Sequence, residues 1–123
     1  MNINIVENRK YYASENSIPC DCNYCKNYYQ QILSAYPKVC AYLESMGVDV
    51  LRPLELSPYM LDENHIEYSI CQYVVFGSCE EDYYHKIDDV EFGIAQSHPS
   101  TGIAEEHFVL DFYPIFLPMN LPV

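Results

Sequence analysis

Residues 22–36 read CNYCKNYYQQILSAY and carry the clearest structural signal in the chain. Apolar and aromatic side chains recur there at the 3.6-residue spacing of one helical face, and polar side chains fill the opposite face. The pattern predicts an amphipathic helix with Asp21 as its N-cap. Pro37 ends this helix and suits the first turn of a second one, which we place at 37–46 with Gly47 after its last turn.

On the C-terminal side of Gly47, the spacing of apolar residues changes from helical to alternating. An edge or irregular strand is expected near residues 50–56, because Pro53 cannot donate to a strand ladder. Stronger strands are expected at 65–77, 87–96 and 107–117, with polar connections at 57–64, 78–85 and 97–105. On the N-terminal side, residues 2–6 alternate like a short strand, and a loop is expected at 10–19.

Helices that precede consecutive strands indicate an α+β fold. Strands joined without intervening helices imply an antiparallel meander, one face of which the two N-terminal helices would cover. Half of the 123 residues are apolar and 15% are aromatic, which suits a single domain spanning 1–123 with one core. We expect the covered sheet face to carry Ile66, Ile70, Phe92, Leu110 and Phe112.

The composition is strongly acidic, because 18 Asp and Glu against 6 Lys and Arg give a net charge of −12. This charge argues against nucleic-acid binding, which needs a positive surface, and against attachment to anionic membranes. It is compatible with simple solubility, with a divalent-cation site and with a basic protein partner. The polar N-terminus does not resemble a signal peptide, and no apolar run approaches the roughly 20 residues of a spanning helix. We therefore expect a cytoplasmic protein.

The motif with chemical content is CDCNYC at residues 20–25. In a reducing compartment, clustered cysteines indicate metal or redox chemistry rather than a disulfide framework. Cys22 and Cys25 are three residues apart and share a face of the first helical turn, where N–H groups favour thiolates. Cys20, Cys22 and Cys25 are therefore predicted to bind zinc.

Three cysteines leave the fourth position of a tetrahedral zinc site open. Two other interpretations of the cluster remain. In the first, Cys22 or Cys25 simply packs in the core beside Tyr29. In the second, Cys22 and Cys25 form a redox pair, although thioredoxin-like motifs follow a buried strand that residues 10–19 do not predict. The candidates for a fourth ligand are Cys40, Cys71, Cys79, His65, His85, His98, His107 and, less suitably, Asp21.

The same segment resembles a family of small uncharacterised bacterial proteins that carry a CDCxYCxNYY motif. The resemblance rests on residues 20–29, on Pro37 and on the MGVD sequence at 46–49. That family has no assigned activity. The resemblance therefore implies a bacterial cytosolic setting and says nothing about mechanism.

Four carboxylates suggest a second candidate site. In an unbulged meander, Glu67, Asp89, Glu91 and Asp111 fall on the sheet face away from the core. Converging carboxylates suit Mg²⁺ or Mn²⁺ and are found in metal-dependent hydrolases. A solvated sheet face normally carries such charges as well, and the chain has no Gly-rich phosphate loop.

We predict a non-enzymatic binding or interaction domain with a structural metal site at the cysteine cluster. The alternatives are a metal-dependent hydrolase that uses the cysteines or the acidic face, and an acidic inhibitor or immunity-type protein that binds a basic partner. A homodimer is a further alternative, because an apolar strip such as residues 114–119 tends to be covered. No nucleophile, base and oxyanion-binding set is recognisable, so no catalytic residue is assigned.

Overall fold

The computed structural model describes residues 1–14 and 19–122. These residues form an antiparallel sheet and three helices, which confirms the α+β class. None of these helices is long and apolar enough to cross a membrane. The elements in chain order are β1 (Asn2–Ile3), α1 (Ile5–Ala13), α2 (Asn23–Ala35), α3 (Pro37–Ser45), β2 (Glu55–Asp62), β3 (His65–Ser78), β4 (His85–Ile87), β5 (Val90–Ile94), β6 (His107–Tyr113) and β7 (Ile115–Pro118).

Strand β3 is the centre of the sheet. It pairs with β1 and β2 along one edge and with β6 and β7 along the other, and β5 and β4 continue the sheet beyond β6. All these pairs are antiparallel, as predicted. The pairing of β3 with β6 joins strands that are not consecutive in the chain, so the sheet departs from a simple meander at this point.

A β-bulge in β3 decides which side chains face the helices. Ser57 pairs with Ile70 and Pro58 pairs with Tyr68, which leaves Ser69 as an extra residue on β3. Because side chains alternate along a strand, one extra residue exchanges the two faces from that point onward. The residues of β3 that belong to the core are Ile66 and Tyr68 before the bulge and Cys71, Tyr73 and Val75 after it.

The bulge corrects one prediction about the core. Ile70 was expected to face the helices, but it lies beside the extra residue and is 37% exposed. The other members of the predicted core face are buried as expected, namely Ile66, Phe92, Leu110 and Phe112.

Helices α2 and α3 begin and end within one residue of their predicted bounds. The N-cap of α2 is Cys22 rather than Asp21, so that prediction was wrong. After α3, Gly47 adopts a left-handed conformation with φ +85°. The N–H of Val48 donates to the carbonyl of Leu43 at 3.2 Å, which completes the predicted glycine-terminated C-cap.

Helix α1 was not predicted. The expected strand at 2–6 is limited to β1, and the expected loop at 10–19 begins inside the helix, while residues 15–18 lie outside the described residues. Asn8 of α1 is fully buried, accepts the N–H of Phe76 at 2.7 Å and donates to the carbonyl of Met46 at 2.9 Å. The Asn8 amide holds this helix together with the core residue Tyr12, whose hydroxyl donates to the carbonyl of Val74 at 2.6 Å. The helix has no apolar stripe that would reveal it in the sequence.

Three strand predictions also need correction. Strand β2 occupies most of the segment that was predicted as the 57–64 connection, and residues 50–54 form no strand. The predicted strand at 87–96 begins in β4 and continues as β5. The predicted strand at 107–117 is divided at Pro114 into β6 and β7, because proline cannot donate to the ladder, and both parts pair with β3.

Candidate metal centre

The structure brings three sulfur atoms together at the N-terminus of α2. The Sγ atoms of Cys20, Cys22 and Cys25 all lie within 4.8 Å of one another. Cys20 and Cys22 are exposed, whereas Cys25 is only 8% exposed. The N–H of Cys22 lies 3.5 Å from the sulfur of Cys20, which folds the segment before the helix back over the first turn. The cluster therefore has one side in the protein and one side in water.

Helix α2 is fixed in place by the C-terminal segment. Asn27 is fully buried, donates to the carbonyl of Pro118 at 3.0 Å and accepts the N–H of Asn120 at 2.9 Å. In the first turn, the carbonyl of Tyr24 accepts a hydrogen bond from the Tyr68 hydroxyl of β3. The sequence pattern had assigned Asn27 to the polar face of the helix. These contacts show instead that the cysteine-bearing end of α2 is docked by a buried amide.

The three thiols differ in their electrostatic environment. Partial burial disfavours the Cys22 thiolate, but the backbone N–H of Cys25 and the thiols of Cys20 and Cys25 outweigh it, so the pKa of Cys22 is lowered. Among the described residues, the Cys22 side chain does not form a capping hydrogen bond. The N–H groups of the first turn therefore stabilise the Cys22 thiolate through their partial positive charge. Burial raises the pKa of Cys25, and its two neighbouring thiols raise it further. A bound cation would stabilise the thiolates, and this would offset both the burial of Cys25 and the repulsion between neighbouring thiolates.

Tyr29 contributes a polar group that the sequence analysis did not assign to the site. Its hydroxyl oxygen is buried and has no hydrogen-bond partner within residues 1–14 and 19–122. Burial raises the pKa of Tyr29, and the electrostatic influence of the Cys25 and Cys20 thiols raises it further. The sequence signal was the four-residue spacing from Cys25, which places Tyr29 one turn later on the same helical face.

No fourth His, Cys, Asp or Glu of the described chain joins the three sulfurs. Cys40 and Cys71 are core residues, and Asp21 is exposed. The remaining candidates have partners elsewhere: Cys79 contacts Glu80, His65 contacts Asp62, His85 packs on Tyr42, His98 contacts the carbonyl of Pro99, and His107 contacts Thr101. A fourth ligand from these positions would need a rearrangement, whereas the exposed side of the cluster is open to water.

The carboxylates of the predicted acidic face are spread over several elements. Glu91 and Asp111 lie on the outer face of the sheet, opposite Phe92 and Phe112. Glu67 lies on β3 before the bulge, and Asp89 is exposed in the turn between β4 and β5. In the part of the chain that the structure describes, these residues do not form a group of three or more ligand atoms close enough to share an ion.

Asp111 has an unusual environment for a carboxylate of an outer sheet face. Its Oδ1 atom is buried without a hydrogen-bond partner among the described residues. Burial raises the pKa of Asp111, although the side-chain amide of Gln72 works in the opposite direction. Ionisation of the Asp111 carboxyl group is therefore unfavourable in the folded protein, and the described residues around it do not form a cation site.

Comparison with known proteins gives no match to a family model, to a curated protein or to a solved structure. The resemblance of residues 20–29 to a bacterial family stays a prediction. The fold and the site together define the class that is observed, an α+β domain with three clustered cysteines at the N-terminus of a docked helix.

Proposed function

We propose that the protein is a non-enzymatic binding domain that holds a thiophilic metal ion, zinc in the first place, at Cys20, Cys22 and Cys25. The convergence of three sulfurs within 4.8 Å is the observation that carries the proposal. Thiolate ligands select soft or borderline ions such as zinc over magnesium or calcium. A reducing cytoplasm would keep the three thiols available for an ion.

The geometry needs only a small adjustment to bind zinc. Tetrahedral coordination with Zn–S bonds near 2.3 Å places sulfurs about 3.8 Å apart. The side chains of Cys20 and Cys22 are exposed and can rotate toward Cys25 without displacing core residues. The unpaired hydroxyl of Tyr29 would then donate a hydrogen bond to the Cys25 thiolate, as groups around metal ligands commonly do.

The fourth position of the site faces water and suits a ligand from outside the described residues. Water or a donor group of a binding partner would complete the coordination. In this role, the ion joins the segment before α2 to the helix and presents an exposed, partly coordinated metal at the surface of the domain.

Elemental analysis of protein purified under reducing conditions tests the proposal. We expect about one zinc per chain, and loss of the zinc in the Cys22→Ser, Cys25→Ser double variant. Cys79→Ser is the matched control, because Cys79 contacts Glu80 and does not belong to the cluster, and it should keep the metal. Wild-type protein that neither contains zinc nor takes it up from a buffered zinc solution would contradict the proposal.

The open fourth position also favours a second function, that of a metal-dependent hydrolase. Catalytic zinc sites keep one position for water or substrate, whereas structural sites are usually closed by four protein ligands. Hydrolysis of a chromogenic ester or phosphoester by the zinc-loaded protein, lost in the double variant and kept in Cys79→Ser, would favour the enzyme over the binding domain.

The net charge of −12 supports an alternative function for the same domain, namely binding to a basic protein partner. Binding to such a partner should weaken steeply as salt is added, because the attraction between exposed charges is screened. Binding that is insensitive to salt would argue against this alternative.

A further inference from the structure

We propose that Cys22 and Cys25 also form a dithiol–disulfide couple that reacts with disulfide compounds, and that this disulfide and a bound metal exclude each other. The exchange reaction itself needs no metal. The competition with metal rests on the proposed function, so the two parts are tested separately.

The positions of the two cysteines allow a direct bond. Their sulfurs already lie within 4.8 Å, and Cys22 occupies the N-cap with extended backbone angles of φ −68° and ψ 160°. Residues three apart at a helix start are neighbours on one face, close to the spacing that a disulfide requires. Because Cys22 is exposed, its side chain can rotate toward Cys25 without displacing core residues.

Cys22 and Cys25 differ in solvent exposure, so we assign them to different steps of the exchange with a disulfide compound. A disulfide in solution can reach the exposed Cys22, whereas Cys25 is 8% exposed and faces the protein. Once Cys22 carries a mixed disulfide, Cys25 can displace the bound group from the same face of the first helical turn, whereas the equally close Cys20 lies before the helix and is two residues away in sequence. Cys40 and Cys71 are buried in the core, and Cys79 has no second thiol grouped with it in the described chain.

The reaction is a two-step exchange with a disulfide RSSR. The Cys22 thiolate attacks one sulfur of RSSR, forms the Cys22–SR mixed disulfide and releases RS⁻, which takes up the proton that Cys22 lost. The Cys25 thiolate then attacks the Cys22 sulfur, forms the Cys22–Cys25 disulfide and releases the second RS⁻, which takes up the proton from Cys25. The protein dithiol is oxidised by two electrons, and RSSR is reduced to two RSH.

Disulfide formation removes two of the three thiolate ligands. A disulfide sulfur carries no negative charge and is a weak metal ligand, so Cys20 alone would remain. A bound ion, conversely, holds the lone pairs of Cys22 and Cys25 and prevents their attack. The cluster would therefore exist either as a metal thiolate or as a disulfide.

Mass spectrometry of the reduced, metal-free wild-type protein tests the exchange. After treatment with glutathione disulfide, the intact protein should lose two hydrogen masses, and peptide mapping should find a link between Cys22 and Cys25. The Cys20→Ser, Cys25→Ser double variant, which lacks both neighbouring thiols, should instead accumulate a stable glutathione adduct on Cys22. Cys20→Ser and Cys79→Ser should still form the link. No link in the wild type, a link that joins Cys20, or adducts that form equally fast on Cys79 would overturn the proposal.

A second measurement tests the competition with metal. The zinc-loaded protein should react with glutathione disulfide at least tenfold more slowly than the metal-free protein and should release one zinc per disulfide, detected with a chromogenic chelator. Equal rates, or zinc retained after the link has formed, would overturn the competition. If the wild type takes up no zinc, the proposed function and this competition both fail, whereas the metal-free exchange is still decided by the mapping.

Discussion

Single buried polar groups determine much of the local structure of this protein. Asn8, Asn27 and Gln72 are buried, and hydrogen bonds of Asn8 and Asn27 attach α1 and α2 to distant parts of the chain. Gln72, however, also has a buried oxygen, Oε1, without a hydrogen-bond partner among the described residues, and the same is true of the Tyr29 hydroxyl and of Oδ1 of Asp111. A buried polar group without a hydrogen bond lowers the stability of the folded protein, and its presence calls for a functional explanation. Tyr29 and Asp111 therefore offer the sharpest tests at the scale of residues.

Tyr29→Phe should weaken zinc binding by about tenfold to a hundredfold, because the hydroxyl would no longer donate to the Cys25 thiolate. The free energy of unfolding of the metal-free protein should change by less than about 0.5 kcal/mol, since no described hydrogen bond is lost. Competition with a chelator of known affinity measures the effect. The control is Tyr28→Phe, which removes a 2.7 Å hydrogen bond to Tyr73 and should lower stability but leave zinc affinity unchanged. Equal affinities of wild type and Tyr29→Phe would contradict the prediction.

Asp111→Asn should raise the melting temperature at pH 7 and have little effect at pH 3. Burial raises the pKa of Asp111 in the folded protein, so folding disfavours the ionised carboxylate. That cost is present above the folded pKa and disappears below the pKa of the unfolded chain. Thermal unfolding of wild type and variant across this pH range measures it, and Asp89→Asn, an exposed carboxylate, controls for the change in net charge. A variant that is less stable than wild type at pH 7 would show that the carboxylate is favourable instead.

The helices and strands of this fold differ in how well they can be predicted from the sequence. Helix α2 could be predicted because its apolar residues follow one periodicity over several turns, and the cysteine cluster could be predicted because all three residues are close in sequence. Helix α1 could not, because the buried amide of Asn8 replaces an apolar stripe. The face of β3 after residue 69 could not be predicted either, since a single bulged residue leaves the composition unchanged while exchanging inside and outside.

Deletion of Ser69 should destabilise the protein by more than about 4 kcal/mol, which is enough to unfold a marginally stable domain. Without the extra residue, either the half of β3 that contains Tyr68 or the half that contains Tyr73 must point away from the helices. Urea unfolding followed by circular dichroism measures the loss. The matched control is deletion of Ser100, which is exposed in the connection before β6 and should be tolerated. Similar stability of the two deletion variants would contradict the role of the bulge.

At the scale of the whole molecule, an acidic surface surrounds one core between the helices and the sheet. Two of the described ion pairs, Lys10 with Glu7 and Lys38 with Asp88, lie between exposed side chains and contribute little stability. The net charge of −12 is what remains after all Lys and Arg residues have been counted against Asp and Glu. Repulsion among the remaining carboxylates therefore opposes folding, and it acts over the distances that salt screens.

The melting temperature should rise when sodium chloride is increased from about 10 mM to about 300 mM at pH 7, because the screening length falls from about 30 Å to below 10 Å. Differential scanning fluorimetry measures the change. Potassium chloride should have the same effect, since screening depends on ionic strength rather than on the identity of the cation. A melting temperature that falls with salt would show that attractive pairs dominate over repulsion.

The hydrogen bond from Asn27 to Pro118 joins residues that are 91 positions apart. During synthesis on the ribosome, the cysteines therefore leave the exit tunnel long before the segment that docks their helix exists. An ion or oxidant that reaches the nascent chain therefore encounters these thiols on a segment whose helix has not yet docked on the rest of the fold. The final arrangement of the three sulfurs is thus set only when nearly all of these residues have been translated.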